Sequence, residues 1–399
     1  MKRREFLHAA LVPLVAPRFA DGLAVLKKYT INRVSGFRHE AQRPHVAGKN
    51  SHLDVHGATT SDSVLRIGTN VGVEGIGVGS ASPGEARALL GRSLAEFWKP
   101  KIGVVSSLGR SDHALYDLLG KALAAPAWKI LGGLGPEWVP VYDGSVYFND
   151  LLPASEGRSG LPRLLHEVEQ SLKAGHRAFK IKVGRGFKWM DPQAGFQRDV
   201  QVIKAIRALV GPGVKLMADA NNAFDLDSTE RWLDAVGPEL FFVEEMFPEQ
   251  VDRDLALKAY LRGKGDPALV ADGESAGDLD DFDPLIAREA IDVYQPDIRG
   301  WGLTRLTALA RKLAVHPPLK LAPHNWGSFL GLYMQVVLAR AIPNFLMAEH
   351  DPSTSDLFDT SAFTFQEGKL RVPDTPGCGL LLREDVYQSK YAKTAWTVE

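Results

Sequence analysis

The chain has 399 residues, 45% apolar and 24% charged, and carries a net charge of −1. That length exceeds one ordinary hydrophobic core and suits a barrel of about 250 residues plus a second domain. The near-neutral balance argues against a nucleic-acid surface or a polybasic membrane patch, and a single cysteine, Cys378, excludes an intrachain disulfide.

Residues 1–27 differ in character from the rest of the chain. Lys2, Arg3 and Arg4 precede an apolar run from Phe6 to Ala16, too short to span a bilayer, which needs roughly 20 residues. Arg3-Arg4-Glu5-Phe6-Leu7 resembles a twin-arginine export signal, which implies a periplasmic or otherwise exported protein without stable membrane insertion. A basic, unstructured N-terminus on a cytoplasmic protein is the alternative.

Residues 28–138 read as an α+β domain. Strands are expected at Ile31–Val34, Val64–Thr69 and Gly72–Val78, and helices at Pro83–Trp98 and Ser111–Leu131. From residue 139 to 364 a different pattern recurs: a short apolar run ends in a charged or polar residue, and an amphipathic stretch comes next. The runs are Val139–Tyr142, Ala178–Val183, Val214–Asp219, Leu240–Glu244, Ala268–Glu274, Ile291–Asp297, Leu319–His324 and Phe345–Glu349. From Asp219 onward their polar ends are spaced 25, 30, 23, 27 and 25 apart. Eight such units are expected to form a (β/α) barrel, and apolar runs suit parallel strands buried on both faces. Asp199–Leu209, Ser228–Val236 and Leu303–Ala314 read as barrel helices. Residues 365–399, with a strand-like Lys369–Val372, are expected to pack back on the first domain.

The active site of such a barrel lies at the C-terminal ends of its strands, where the charged residues of this pattern stand. Asp219, Glu244 and Glu274 end three consecutive strands about 4.8 Å apart. Like charges held so close call for a cation, and hard oxygen donors suit Mg²⁺ better than Zn²⁺. Lys180 and Lys182, two apart on one strand, point to the same face. Each is expected to lower the other's pKa toward the range of a base. Asp297 and His324 end the sixth and seventh strands, where the carboxylate would orient the imidazole. Glu349 ends the eighth and can hydrogen-bond a substrate oxygen. A metal and nearby cations, facing bases, suit removal of a proton α to a carboxylate, because the product is a dianionic enediolate.

These residues together resemble the mandelate racemase/muconate lactonizing enzyme family of the enolase superfamily. The motifs are Lys180-Ile181-Lys182, Asp219-Ala220-Asn221, Val243-Glu244-Glu245, Asp272-Gly273-Glu274, Ala114–Ala122 through Gly133, and Val372-Pro373 through Gly379. The resemblance implies a modified TIM barrel under a capping domain, and Asp219, Glu244 and Glu274 as Mg²⁺ ligands. It implies Lys182 as the base on one face and the Asp297–His324 dyad on the other, as in the mandelate racemase subgroup. Lys180 would stabilise the enolate, Glu349 would hydrogen-bond it, and Asn221 would contact the substrate carboxylate or the metal shell. Met246-Phe247-Pro248 after Glu245 departs from the family's E-E-P. Asn221 stands where some acid-sugar dehydratases carry a histidine, which leaves His324 as general acid. The expected partner is a small-molecule carboxylate, and the expected assembly a homo-oligomer. The expected reaction is dehydration of an acid sugar, with racemisation or epimerisation of a 2-hydroxy acid next. A Schiff-base aldolase leaves the carboxylates unexplained, and a non-catalytic sugar-acid binder is the alternative of another class.

Overall fold

The computed structural model describes residues 22–399. The run read as an export signal, Lys2 to Ala16, lies outside the described residues. No described helix is long and apolar enough to cross a membrane. A short helix, Gly22–Leu26, already buries Leu26 in the core, so residues assigned above to the leader take part in the fold.

The first domain is built on an antiparallel sheet of Ile31–Ala47, Gly57–Thr69 and Glu74–Val78, joined at its other edge by Trp396–Val398 from the C-terminus. Alternation explains the long first strand: Phe37, His39 and Ala41 turn inward while Arg38, Glu40 and Gln42 stay exposed. The two expected helices each break in two. Pro83–Arg87 gives way to Leu94–Phe97 where Ser93 and Glu96 form a new capping box. His113–Ala122 gives way to Ala127–Leu131 behind Pro126, which lacks the N–H to continue a helix.

Eight parallel strands make the second domain: Trp138–Val146, Ala178–Lys182, Lys215–Asp219, Phe242–Glu244, Leu269–Asp272, Val293–Tyr294, Lys320–Leu321 and Ala348–His350. Each pairs with its successor, the seventh reaching the eighth through the Leu321–Phe345 bridge, and the eighth returns to pair with the first. The barrel is closed. Its long outer helices include Gly160–Lys173, Pro192–Val210, Val251–Lys264 and Phe329–Ala341. One residue at or next to each strand fills the interior: Tyr142, Ala178, Met217, Phe242, Ala271, Val293, Ala322 and Met347. This layer of mixed large and small side chains is a solid floor beneath the mouth.

The tail ties the two domains together instead of lying on the first alone. Lys369–Arg371 pairs antiparallel with Trp138–Pro140 of the first barrel strand, and Trp396–Val398 pairs with Val34–Gly36. Two aspartates of the first domain cap barrel helices. Asp62 accepts from the N–H groups of Phe329 and Leu330 at 3.0 and 3.1 Å. Asp112 accepts from those of Leu303 and Thr304 at 2.8 and 2.9 Å, where the helix Ile298–Leu313 kinks at Gly302. Carboxylates at helix N-termini satisfy orphan donors and meet the positive end of the dipole. The cap is thus held to the barrel by directional bonds as well as by apolar contact.

Candidate active site

Strand register sets the site. Lys182 lies opposite Asp219, and Asp219 opposite Glu244, so three charged residues from the second, third and fourth strands stand level at the barrel mouth. Lys180 is one pleat lower on the same face. Its Nζ donates to Glu244 Oε1 at 2.6 Å and lies 2.8 Å from Glu349 Oε1 and 3.3 Å from Asp219 Oδ2. Lys182 pairs with Asp219 Oδ2 and donates to Asn221 Oδ1 at 2.8 Å. All these side chains are buried except Asn221, which is half-buried.

The pKa expectation for the lysines is overturned. Burial opposes charge on Lys180, but Glu244, Glu349 and Asp219 more than offset it, and its pKa rises well above normal. Lys182 likewise rises: burial and Lys180 act against its charge, and Asp219 outweighs them. The two ammonium groups repel, yet each has a carboxylate within bonding reach. The carboxylates carry the complementary deficit. Burial, with Asp219 and Glu349 nearby, pushes Glu244 up to about 8 despite Lys180. Burial, with Glu274 and Asp219 nearby, pushes Glu245 up to about 7.

Across the ring, Asp297 caps the helix Ile298–Leu313, accepting at Oδ1 from the N–H groups of Arg299 and Gly300 at 2.9 and 2.8 Å. Its Oδ2 lies 3.0 Å from His324 Nδ1, which fixes the imidazole and leaves Nε2 toward the mouth, 3.3 Å from Glu274 Oε2. Burial disfavours charge on His324, but Glu274 and Asp297 win, and its pKa is pushed up to about 10. Glu274, Asp297 and His324 lie just beyond their strands. At Gly273 the backbone turns with φ 113°, a value open to glycine, and a Cβ there would meet Phe282 at 2.7 Å. This turn delivers Glu274 to the mouth. Glu349 is locked: its Oε2 accepts from the Asn325 N–H at 2.8 Å and its backbone N–H donates to Gln335 at 3.0 Å.

The cap loop between the two long strands closes one side. Ser51 Oγ donates to the Ala220 carbonyl at 2.8 Å, Trp189 Nε1 to the Asn50 carbonyl at 2.6 Å, and Lys188 Nζ to the His52 carbonyl at 2.8 Å. His56, Tyr147 and Trp326 form an aromatic wall, and the Tyr147 ring centre is 5.4 Å from Lys182 Nζ.

The sequence profile of the Enolase C-terminal domain-like family matches residues 163–386, more than half of the chain. The chain belongs to this family, within the enolase superfamily. It is 27% identical over 300 residues, 73% of each chain, to an arabinonate dehydratase of Saccharolobus solfataricus. It is 28% identical over 303 residues to a D-galactarolactone cycloisomerase of Agrobacterium fabrum, covering 70% of this chain and 72% of that one. A galacturonate dehydratase of Geobacillus sp., solved with D-galacturonate and 5-keto-4-deoxy-D-galacturonate, shares 30% identity and superposes with a TM-score of 0.85 over 94% of this chain and 100% of its own. A mutant of a Geobacillus sp. galacturonate dehydratase solved with Mg aligns at a TM-score of 0.86 and 30% identity, over 94% of this chain and 98% of that one.

As arranged here, Asp219 and Glu244 turn to the lysines and Glu274 to His324. No group of three acidic, histidine or cysteine side chains among the described residues is preassembled for a metal. The donor set nevertheless fits a hard divalent cation. Gln295 Oε1 is a buried oxygen without a hydrogen-bond donor, Glu274 Oε2 has only the 3.3 Å ion-pair contact with His324, and burial leaves Glu244 and Glu245 with raised pKa values. The expected site residues therefore form two clusters: Lys180, Lys182, Asp219, Asn221, Glu244 and Glu349 in one, and Glu274, Asp297 and His324 in the other.

Four participants were not anticipated. Gln295 Nε2 donates to Glu244 Oε2 at 2.7 Å; its place two before Asp297 in the sixth run was the available signal. Glu245, at the positive φ of 43°, accepts from Asn221 Nδ2 at 3.0 Å. Strain at such a non-glycine position, of order 1–3 kcal/mol, is characteristic of functional sites. Tyr147 and His56 carried no signal, because their approach to the mouth depends on loops from different domains.

Proposed function

We propose that the protein removes the proton α to the carboxylate of an acid sugar and expels the adjacent hydroxyl, converting a 2,3-dihydroxy acid to a 2-keto-3-deoxy acid and water. The observation that carries this reading is the opposition of two proton-handling groups across one mouth. Lys182 stands on the second strand, and the Asp297–His324 pair follows the sixth and seventh of a closed ring of eight.

Asp219, Glu244 and Glu274 would hold Mg²⁺, which supplies positive charge at the developing enediolate. Lys182 is placed to take the C2 proton, which requires that Asp219 no longer hold its own. Lys180, buried beside Glu349, keeps its charge and stabilises the enediolate oxygens. Asn221 is in reach of Lys182 and orients the carboxylate. As the C3–O bond breaks, its electron pair leaves with the oxygen. His324 Nε2–H, held by Asp297 at the other nitrogen, protonates that oxygen to water. The enol left behind tautomerises to the 2-keto acid. The dehydratase activity of the arabinonate and galacturonate relatives supports elimination. The same two-faced geometry also supports 1,1-proton transfer, in which His324 returns the proton to C2 from the opposite side.

Proton NMR in D₂O with Mg²⁺ and a panel of D-arabinonate, D-galactonate, D-xylonate and D-galacturonate distinguishes these. Dehydration replaces the α-proton signal with a new methylene or its deuterated counterpart. Loss of the α-proton alone points to racemisation or epimerisation, and binding without any exchange points to a non-catalytic role.

A further inference from the structure

The loop joining the two long cap strands brings one polar side chain to the mouth that no part of the protein satisfies. His56 Nε2 is buried and has no hydrogen-bond partner. Its ring packs edge-on against Tyr147 and Trp326, with centroids 4.9 and 5.4 Å away, and those two rings stack on each other at 4.5 Å. The Tyr147 ring in turn lies beside Lys182. His56 thus sits on the face of the mouth from which the α-proton would be removed, one aromatic ring beyond the reacting amine.

Arg43, Ser51 and Asn50 nearby are already committed elsewhere. Arg43, whose guanidinium lies 4.4 Å over Trp326, is held by Asp351 through bonds of 2.8 and 2.7 Å. Ser51 is bonded to Ala220, and Asn50 to its own loop. The imidazole is neutral, since burial and the positive charges of Lys182 and Arg43 bring its pKa down to about 4. A neutral ring nitrogen matches an alcohol, whereas a second carboxylate would be drawn to the cations beside it. Buried polar atoms without partners are costly and uncommon, so one at a substrate mouth calls for a ligand group.

We propose that His56 is a specificity-determining residue: its Nε2 hydrogen-bonds a hydroxyl of the acid sugar beyond the two reacting carbons. The proposal rests on the acid-sugar reading above and adds to it the group that selects among polyol chains. Sites built to hydrogen-bond a substrate hydroxyl reject analogues lacking it, because the site's own polar atom is then stranded.

The test uses the full-length protein with Mg²⁺, the acid sugar it turns over fastest from the panel, and three analogues each lacking one hydroxyl beyond the reacting carbons. His56→Phe keeps the ring and its packing and removes both nitrogens; His56→Asn keeps hydrogen-bonding capacity in a smaller side chain. Expected is a KM rise of roughly 10- to 100-fold for His56→Phe on the full substrate, with kcat changed far less and partial rescue in His56→Asn. One deoxy analogue should show that same loss with the wild type and little further loss with His56→Phe. A merely structural histidine would lower efficiency equally on the substrate and all three analogues. That outcome, or an unchanged KM with full selectivity, overturns the proposal while leaving the dehydratase reading intact. A wild type inert on the whole panel overturns the dehydratase reading and this proposal with it.

Discussion

Arg185 offers a quantitative test of how the mouth is held. It follows the second barrel strand by three residues and is fully buried, with Asp150 at 2.7 Å and Asp199 at 2.6 Å. Its Nη1 also donates to the Lys182 carbonyl at 3.3 Å, so it ties the backbone of the proposed base. Arg185→Met keeps much of the length and removes the charge. Asp199 would retain only the N–H groups of Gly184 and residue 185, and Asp150 only the distant Arg198 at 3.8 Å. Breaking a buried pair this way costs about 3–5 kcal/mol, a large share of a total stability of about 5–15 kcal/mol. The pH dependence follows from Asp199, whose pKa is already raised because burial outweighs Arg185. Without Arg185 it rises further, so the native state holds a proton that the unfolded chain releases near pH 4. The deficit is therefore full above the new folded pKa and shrinks as pH falls toward 4. Urea denaturation followed by tryptophan fluorescence at pH 5 and pH 8 measures it. The triple variant Arg185→Met, Asp150→Asn, Asp199→Asn should recover most of the loss, because no charge is stranded. A loss under about 1 kcal/mol, or one that does not depend on pH, refutes this account of the network.

Three further outcomes are expected. His324→Asn should lower dehydration about 10²- to 10⁴-fold while deuterium exchange at the α-carbon, monitored by NMR, survives; Lys182→Met should lose both. Gly144→Ala should cut kcat about 10- to 100-fold with little change in fold, because the new Cβ would lie 2.5 Å from Glu349 Oε1, and Glu349 is pinned by Asn325 and Lys180. Steady-state kinetics beside a circular dichroism spectrum checks it. Chelation should abolish turnover reversibly, with Mg²⁺ restoring it, and Asp219→Asn should not respond to added Mg²⁺.

The barrel was legible because its strands are buried on both faces and so write continuous apolar runs, each stopped by a charged residue where the chain meets the mouth. The cap was less so. The strand Ile31–Ala47 extends far beyond Ile31–Val34 because inward positions go to His39 and Arg43, whose burial rests on Asp351 and Ser355 more than 300 residues away. Hydropathy cannot register a polar residue satisfied by so remote a partner. The same holds at the site. Residues on strand ends, such as Lys182 and Asp219, follow from period and register. Gln295, Glu245, Tyr147 and His56 are set by loop turns and by docking of the cap, which no local pattern encodes.

The lysines depart furthest from expectation, and for a physical reason. Nearness of Lys180 and Lys182 is only half of their electrostatics, because the strand order also brings Asp219, Glu244 and Glu349 within bonding reach. In the mouth as a whole, Asp219, Glu244, Glu245, Glu274, Asp297 and Glu349 face Lys180, Lys182 and His324. Burial first, and then the neighbouring carboxylates that the few cations do not offset, push Glu244 and Glu245 up to about 8 and 7. Asp219 is held ionised by the two lysines and in turn keeps the proton on its partner, so Lys182 is a poor base for as long as that pair stands. A divalent cation drawn to Asp219 would compete with that lysine for the carboxylate's charge and so lower the lysine's pKa. Cation binding and base activation are then one event, and the prediction is sharper than loss of activity. The chelated protein should fail at the first step, showing no deuterium exchange at the α-carbon even where it still binds the acid sugar. Exchange that persists after chelation while dehydration stops would place the metal only at hydroxyl departure and refute the coupling.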